Sequence, residues 1–194
     1  MKKIAWILIL LVLIGLIAGV CVFRANYVRI NGAVIDRDAT EVVVTGEALP
    51  DVEKLHRIEG MKMLDLRSME VSPEFYDMLS GEFPNCLISW NVFYQAVYID
   101  NSVTEISVRS MTPEYEEMLK YFPNLQTVDA RECRDYDALL ELITHRPDLQ
   151  VTYDVDLGDV LLPQDAVACT VTDANVRTLL QALPYLPELQ TVNL

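Results

Sequence analysis

Carboxylates are the most numerous side chains in this chain that could do acid–base chemistry. There are 29 Asp and Glu residues and two histidines among 194 residues. Adjacent acids such as Glu116 and Glu117 fit a solvated helix surface, because runs of charge usually face water. His56 and His145 lie at the ends of different predicted helices, where a solvated or capping role is expected. None of these groups forms a recognisable acid–base pair in the sequence.

Motifs for catalysis, nucleotide binding or metal binding are also missing. The sequence contains no GxSxG elbow, P-loop or HExxH, and it has only seven glycines. Its four cysteines lack CxxC spacing, and a metal site would need more Cys or His nearby. Cys86 and Cys169 align with Leu149 and Ile106 in neighbouring repeats, so we predict buried free thiols. We therefore predict a protein that is not an enzyme and that uses no cofactor and no metal.

The charge balance restricts the class of partner. The chain carries 15 Lys and Arg, a net charge of −14, and without residues 1–23 it has 13 basic and 29 acidic residues, a net charge of −16. Such a field disfavours nucleic acid and favours either simple solubility or a basic partner. We predict an unknown protein or peptide as partner and no nucleic acid.

A short sequence pattern occurs three times. MKMLDL, LQTVDA and LQTVNL begin at residues 61, 125 and 189, and are therefore spaced by 64 positions. A predicted hairpin precedes each copy, at 27–35, 91–99 and 154–162. Asn31-Gly32 and Gly158-Asp159 are tight-turn dipeptides, whereas the middle copy has Gln95-Ala96, which lacks that signal. Because a repeating unit buries its apolar face on its neighbour, the repeat predicts a stacked body.

Strands and helices alternate within one period. The pattern predicts a strand at 105–109, helices at about 113–121 and 136–145, and strands at 125–130 and 149–155. Strand starts are about 19 to 24 residues apart, which is typical of a repeat that contains one strand and one helix per turn. Trp90 and Tyr153 alternate with aliphatic residues, so we predict that both fill the core.

The segment from Leu125 to Cys133 resembles the LxxLxLxx(N/C) signature of leucine-rich repeats, and looser copies start at Met61 and Leu189. The resemblance is to irregular, two-turn repeats of membrane-anchored bacterial proteins. It implies an α/β fold: a leucine-rich-repeat-like solenoid with a largely parallel sheet and inserted β-hairpins. The corresponding domains are 1–26, an N-terminal anchor, and 27–194, built of double repeats of about 64 residues.

The start of the chain predicts a membrane anchor. Residues 4–23 carry no charge, and at about 1.5 Å per residue a helix of this length crosses a hydrocarbon core of about 30 Å. A cleaved secretory signal is the alternative, but its apolar region is usually about 7 to 15 residues. Lys2 and Lys3 favour an inside N-terminus. We therefore expect a single-pass membrane protein whose repeats face the outside of a bacterial cell.

The strand centres supply a candidate binding face. In LxxLxL geometry the leucine-type positions point inward, so the residues between them face outward on the sheet. The predicted polar stripe consists of Asp65, Asn91, Thr127, Asp129, Thr152, Asp154 and Asn193. It is either a recognition face for a peptide or basic partner or an ordinary wet sheet surface.

These observations together predict protein–protein interaction at the cell surface. Two alternatives stay open. The chain is a structural or assembly component that self-associates, or it is a fragment of a longer protein whose activity lies in a further C-terminal domain.

Overall fold

The structure is a computed structural model that describes residues 2–172 and 174–193, with side chains described from residue 10 onward in those ranges. The chain divides into two compact units, Met1–Asn91 and Val92–Leu194.

The first unit contains one antiparallel hairpin and one three-stranded parallel sheet. Its elements are α1 (Lys2–Asn26), β1 (Tyr27–Ile30), β2 (Ala33–Asp36), β3 (Glu41–Val43), α2 (Val52–Leu55), β4 (Met63–Asp65), α3 (Pro73–Glu82) and β5 (Leu87–Ser89). Strands β1 and β2 pair through the turn Asn31-Gly32, where both residues have positive φ, 47° and 87°. Strands β3, β4 and β5 pair in parallel.

The second unit repeats this order. Its elements are β6 (Asn91–Tyr94, beginning at the unit boundary), β7 (Val97–Asp100), β8 (Glu105–Ser107), α4 (Pro113–Met118), β9 (Thr127–Asp129), α5 (Tyr136–His145), β10 (Gln150–Thr152), β11 (Asp154–Asp156), β12 (Leu161–Pro163), β13 (Ala168–Thr170), α6 (Val176–Ala182) and β14 (Thr191–Asn193). Short 3-10 turns follow α4 and α6. Strands β8, β9 and β10 pair in parallel, and so do β13 and β14.

Local sequence signals explain where two of the helices begin. Ser72 precedes α3 and Thr112 precedes α4, and each hydroxyl accepts the backbone N–H three residues later at 3.3 Å. Each helix then opens with proline, whose missing N–H has no partner to lose in a first turn. These caps fix the two helices at the same point of successive repeats.

The core of each unit consists of the buried residues of its parallel strands, its helices and its hairpins. Leu64 on β4 and Val128 on β9 are fully buried. The predicted core positions of Trp90 and Tyr153 are confirmed, since they are 0% and 3% exposed. Trp90 stacks on Tyr76 with ring centroids 4.8 Å apart.

The prediction of a leucine-rich-repeat-like solenoid with a largely parallel sheet is wrong. The described strands form six separate sheets of two or three strands instead of one continuous ladder. The connection after β12 gives a physical reason in the second unit. The backbone N–H of Gln164 donates to Tyr153 O at 3.1 Å and its side-chain amide donates to Val151 O at 2.9 Å. These bonds occupy the carbonyls of Val151 on β10 and of Tyr153, which follows β10, and the next strand, β11, pairs with β12 instead of extending the parallel sheet.

The prediction of an N-terminal transmembrane helix is also wrong. No helix among the described residues is long and apolar enough to cross a membrane. The prediction of a single-pass location at the cell membrane is wrong for the same reason.

Candidate functional site

The three-stranded sheet β8–β9–β10 of the second unit has one buried row and one polar row of side chains. The central residues Ile106, Val128 and Val151 are paired side by side and are 3%, 0% and 5% exposed. Because successive side chains of a strand point to opposite faces, the residues next to them point outward. Thr127 and Asp129 on β9 therefore share a face with Thr152 on β10.

This face lines a concavity of about 380 Å³. Four predicted site residues meet there, together with acids from β8 and from the connection after β12. We call this set the acidic strand face, and its polar residues are Glu105, Thr127, Asp129, Thr152, Asp154 and Asp165. The concavity is rich in hydrogen-bond acceptors, and Arg131 is its only lining cation among the described residues.

Arg131 is held by Asp129. The guanidinium donates from Nε to Oδ1 at 2.9 Å and from Nη2 to Oδ2 at 2.6 Å. The Arg131 backbone N–H also donates to Oδ1 at 3.2 Å. The side-chain hydrogen bonds from Arg131 lower the pKa of Asp129 below its ordinary value. The same bonds, with smaller contributions from Asp154 and Glu105, raise the pKa of Arg131.

The other three carboxylates of the face have no bonded partner, although Asp154 and Glu105 interact electrostatically with Arg131. The side chains of Glu105, Asp154 and Asp165 accept no hydrogen bond and form no ion pair within the described residues. An ionised carboxylate offers acceptors only, so its complement is a cationic donor such as guanidinium or ammonium. The arrangement can therefore bind a basic side chain.

Hydrogen bonds from Tyr136, the half-buried first residue of α5, fix the strand that carries Asp154. The Tyr136 hydroxyl accepts the backbone N–H of Asp156 at 2.9 Å and donates to Asp154 O at 3.3 Å. Tyr136 itself packs against Tyr153 with ring centroids 6.2 Å apart. The backbone of Asp154 is thus held by α5 as well as by the pairing of β11.

The remaining predicted site residues lie elsewhere. In the first unit Asp65 binds Arg67 through both carboxylate oxygens, at 3.0 and 2.6 Å. The Asn91 amide donates to Arg67 O at 2.7 Å and so supports the chain locally. That face also exposes Val43 at 50%, which makes it partly apolar. Asn193 is paired with Thr170 on the β13–β14 sheet and does not line the concavity.

The histidines do not assemble a catalytic pair in the described part of the chain. His56 Nε2 contacts Glu82 at 2.9 Å, and His145 Nδ1 contacts Glu116 at 2.8 Å. Within the described residues, no Ser, Thr or Cys side chain hydrogen-bonds either histidine. Among those residues no three His, Cys, Asp or Glu side chains are placed to hold a metal ion.

The cysteines are all free. Cys133 and Cys169 are buried, which confirms the prediction for Cys169, whereas Cys86 is only partly buried and Cys21 is exposed. Burial raises the pKa of the Cys86 and Cys133 thiols, so neither is activated as a thiolate at neutral pH.

Two members of the acidic strand face were missed by the sequence prediction. Glu105 pairs with Thr127 across β8 and β9, and its recurrence as Glu41 one period earlier was the available signal. Asp165 belongs to the connection after β12, and no sequence pattern places that connection beside the sheet.

No family model, no curated protein and no solved structure matches this chain.

Proposed function

We propose that this chain is a protein-interaction module and that its acidic strand face binds a basic peptide segment of a partner protein. The proposal rests on one observation: the carboxylates of Glu105, Asp154 and Asp165 surround one concavity and have no hydrogen-bond or ion-pair partner within the described residues. Thr127 and Thr152 add hydroxyls that can bond a peptide backbone. The proposal is a binding role without catalysis.

The expected interaction is electrostatic and of moderate strength. These three carboxylates are partly or fully exposed, so each ion pair with a ligand contributes roughly 0.2–1 kcal/mol. Several such pairs in one concavity add up, and all are screened by salt over a Debye length of about 8 Å at physiological ionic strength. Binding should therefore weaken steeply as salt is added.

Titration of the full chain with a fluorescent peptide of alternating arginine and serine tests the proposal. The same peptide with glutamate in place of arginine should not bind. Glu105→Gln and Asp154→Asn should each weaken binding roughly two- to fivefold, and the double variant by about tenfold. The matched control is Glu188→Gln, which removes the same charge from an exposed residue of the same unit that does not line the concavity.

Equal weakening by Glu188→Gln would mean that only net charge matters and would remove the strand face as the site. If the arginine peptide does not bind the unmodified chain, the proposal of a basic ligand is wrong. Circular dichroism of each variant verifies that the fold is retained.

A second candidate function, self-assembly, is favoured by one observation on β14. Val192 is 42% exposed, whereas Leu64 and Val128 at the same position of β4 and β9 are 0% exposed. Both β4 and β9 have two bonded neighbours, while β14 has one among the described strands. An apolar strand edge of this kind pairs readily with another chain.

Sedimentation velocity over a concentration series separates this candidate from the first. Self-assembly through β14 predicts association of the unmodified chain and loss of that association in Val192→Lys. If both proteins sediment identically, β14 has no role in assembly.

A further inference from the structure

The first unit contains a larger concavity of about 760 Å³, bounded by the second half of α1, by β1 and by α2. One side of it is apolar and is formed by Leu16, Val20 and Phe23 of α1. The other side is basic. Its cations are Arg24, Arg29, Lys54 and Arg57.

This clustering of cations is unusual for so acidic a chain. The sequence has 29 acids and 15 bases, yet no Asp or Glu lines this concavity among the described residues. Lys54 has only a long contact of 3.8 Å to Asp51. The guanidinium groups of Arg24, Arg29 and Arg57 make no hydrogen bond and no ion pair within the described residues. Like charges left unpaired repel each other, so an anion placed among them is stabilised.

A neighbouring arginine holds the basic side in place. Arg37 donates from Nη1 to Ala25 O at the end of α1, at 3.2 Å, and from Nε to Arg57 O, at 2.9 Å. Its Nη2 binds Glu59 at 2.8 Å, so its own charge is neutralised. These bonds tie the end of α1 to the segment after α2, which keeps Arg24 and Arg57 on the same concavity.

The apolar side is exposed. Leu16, Val20 and Phe23 are 63%, 54% and 45% exposed. A small hydrophilic anion would use the basic side and leave this apolar surface in water. A ligand with a charged head and a hydrocarbon chain would bury it and remove apolar surface from water.

We infer that this concavity binds an acidic lipid with a phosphate head group. The phosphate oxygens accept from Arg24, Arg29 and Arg57, since guanidinium matches phosphate with two parallel hydrogen bonds. The acyl chain lies along Leu16, Val20 and Phe23. The volume is within the range of about 300–1,000 Å³ that is usual for small-molecule sites.

The test compares dodecyl phosphate with dodecyl maltoside, each kept below its micelle-forming concentration, in titrations of the full chain. Both carry the same hydrocarbon chain, so the ratio of their dissociation constants isolates the head group from general apolar binding. The unmodified chain should prefer dodecyl phosphate by about tenfold or more, since only the phosphate head group forms charge-assisted hydrogen bonds with the guanidinium groups. Arg29→Gln/Arg57→Gln should reduce that preference to less than about threefold.

The matched control is Arg177→Gln, an exposed arginine of the second unit, which should keep the preference of the unmodified chain. Leu16→Ser/Val20→Ser should weaken dodecyl phosphate while leaving inorganic phosphate unchanged. The inference is overturned if the two amphiphiles bind equally, if the double arginine variant keeps the preference, or if inorganic phosphate binds as tightly as dodecyl phosphate. Binding that occurs only as the chain self-associates would assign the concavity to a second copy and overturn it as well.

Discussion

The Arg131 guanidinium binds both oxygens of the Asp129 carboxylate, at 2.9 and 2.6 Å, and Arg67 binds Asp65 in the same way 64 positions earlier. In each case the arginine follows the aspartate by two residues, so its guanidinium folds back and pairs with a carboxylate on the same face of the sheet. The central acid of the strand is thus already neutralised. A basic ligand of the acidic strand face must therefore bind the neighbouring carboxylates of Glu105, Asp154 and Asp165.

Removing this internal cation should strengthen binding of the arginine peptide. In Arg131→Gln the Asp129 carboxylate loses its partner and can bind the peptide. We expect roughly two- to fivefold tighter binding, because an exposed ion pair contributes only a small free energy. The variant should also move the pKa of Asp129 up towards its ordinary value, because the Arg131 hydrogen bonds are what lower it. Carbon-detected NMR titration of the side-chain carboxyl measures that pKa. Weaker peptide binding by Arg131→Gln would show that Arg131 itself contacts the ligand.

Much of the secondary structure follows from local signals in the sequence. The helix predicted at 136–145 coincides with α5, since its apolar residues recur on one face and Pro147 follows it. The hairpin predicted around Asn31-Gly32 is present with the positive φ angles that this dipeptide favours.

Long-range contacts explain what the sequence could not predict. The single strand predicted at 149–155 is two strands, β10 and β11, which pair with different partners on either side of the buried Tyr153. Asp165 reaches the strand face because Gln164 bonds the carbonyls of Val151 and Tyr153. Neither contact leaves a periodic pattern, so neither the division of this strand nor the place of Asp165 beside it was predicted.

The turn at Gln95-Ala96 has positive φ at both residues, 46° and 66°, without any glycine. The Gln95 side chain donates to Ser110 O and accepts from Arg109 N, which secures this conformation. Ala96→Gly should relieve the strain at Ala96 and stabilise the protein by about 0.5–1 kcal/mol, measured by chemical denaturation. The matched change is Gly32→Ala at the equivalent turn of the first unit, with φ of 87°, and it should cost about 1–2 kcal/mol. Destabilisation by Ala96→Gly would contradict this account of the turn.

Asp135 ties the start of α5 to the loop before α4. Its Oδ2 accepts from the Ser110 hydroxyl and the Met111 backbone N–H, both at 2.8 Å. The Met111 N–H, followed by the Ser110 hydroxyl, lowers the pKa of Asp135. A carboxyl with a lowered folded pKa stabilises the fold above its unfolded pKa, about 3.9, and loses that contribution as the pH falls through the folded value.

Asp135 is largely exposed, so solvent screens its charge and Asp135→Asn should cost about 0.5–1 kcal/mol at pH 7; it should also flatten the acid limb of stability against pH below about pH 4. Urea denaturation at a series of pH values measures both effects. Asp165→Asn is the control, because that carboxylate has no partner within the described residues, and its cost should stay within about 0.5 kcal/mol. An unchanged acid limb in Asp135→Asn would show that these two hydrogen bonds do not couple to folding.

The most direct test of peptide recognition by the acidic strand face is amide NMR of the full chain during titration with the arginine–serine peptide. We predict saturable shifts concentrated at Glu105, Thr127, Thr152, Asp154 and Asp165, with the same peptide causing little change in Glu105→Gln/Asp154→Asn. Shifts of equal size over acidic residues outside the concavity, or saturable binding that leaves these five amides unmoved, would contradict the proposal.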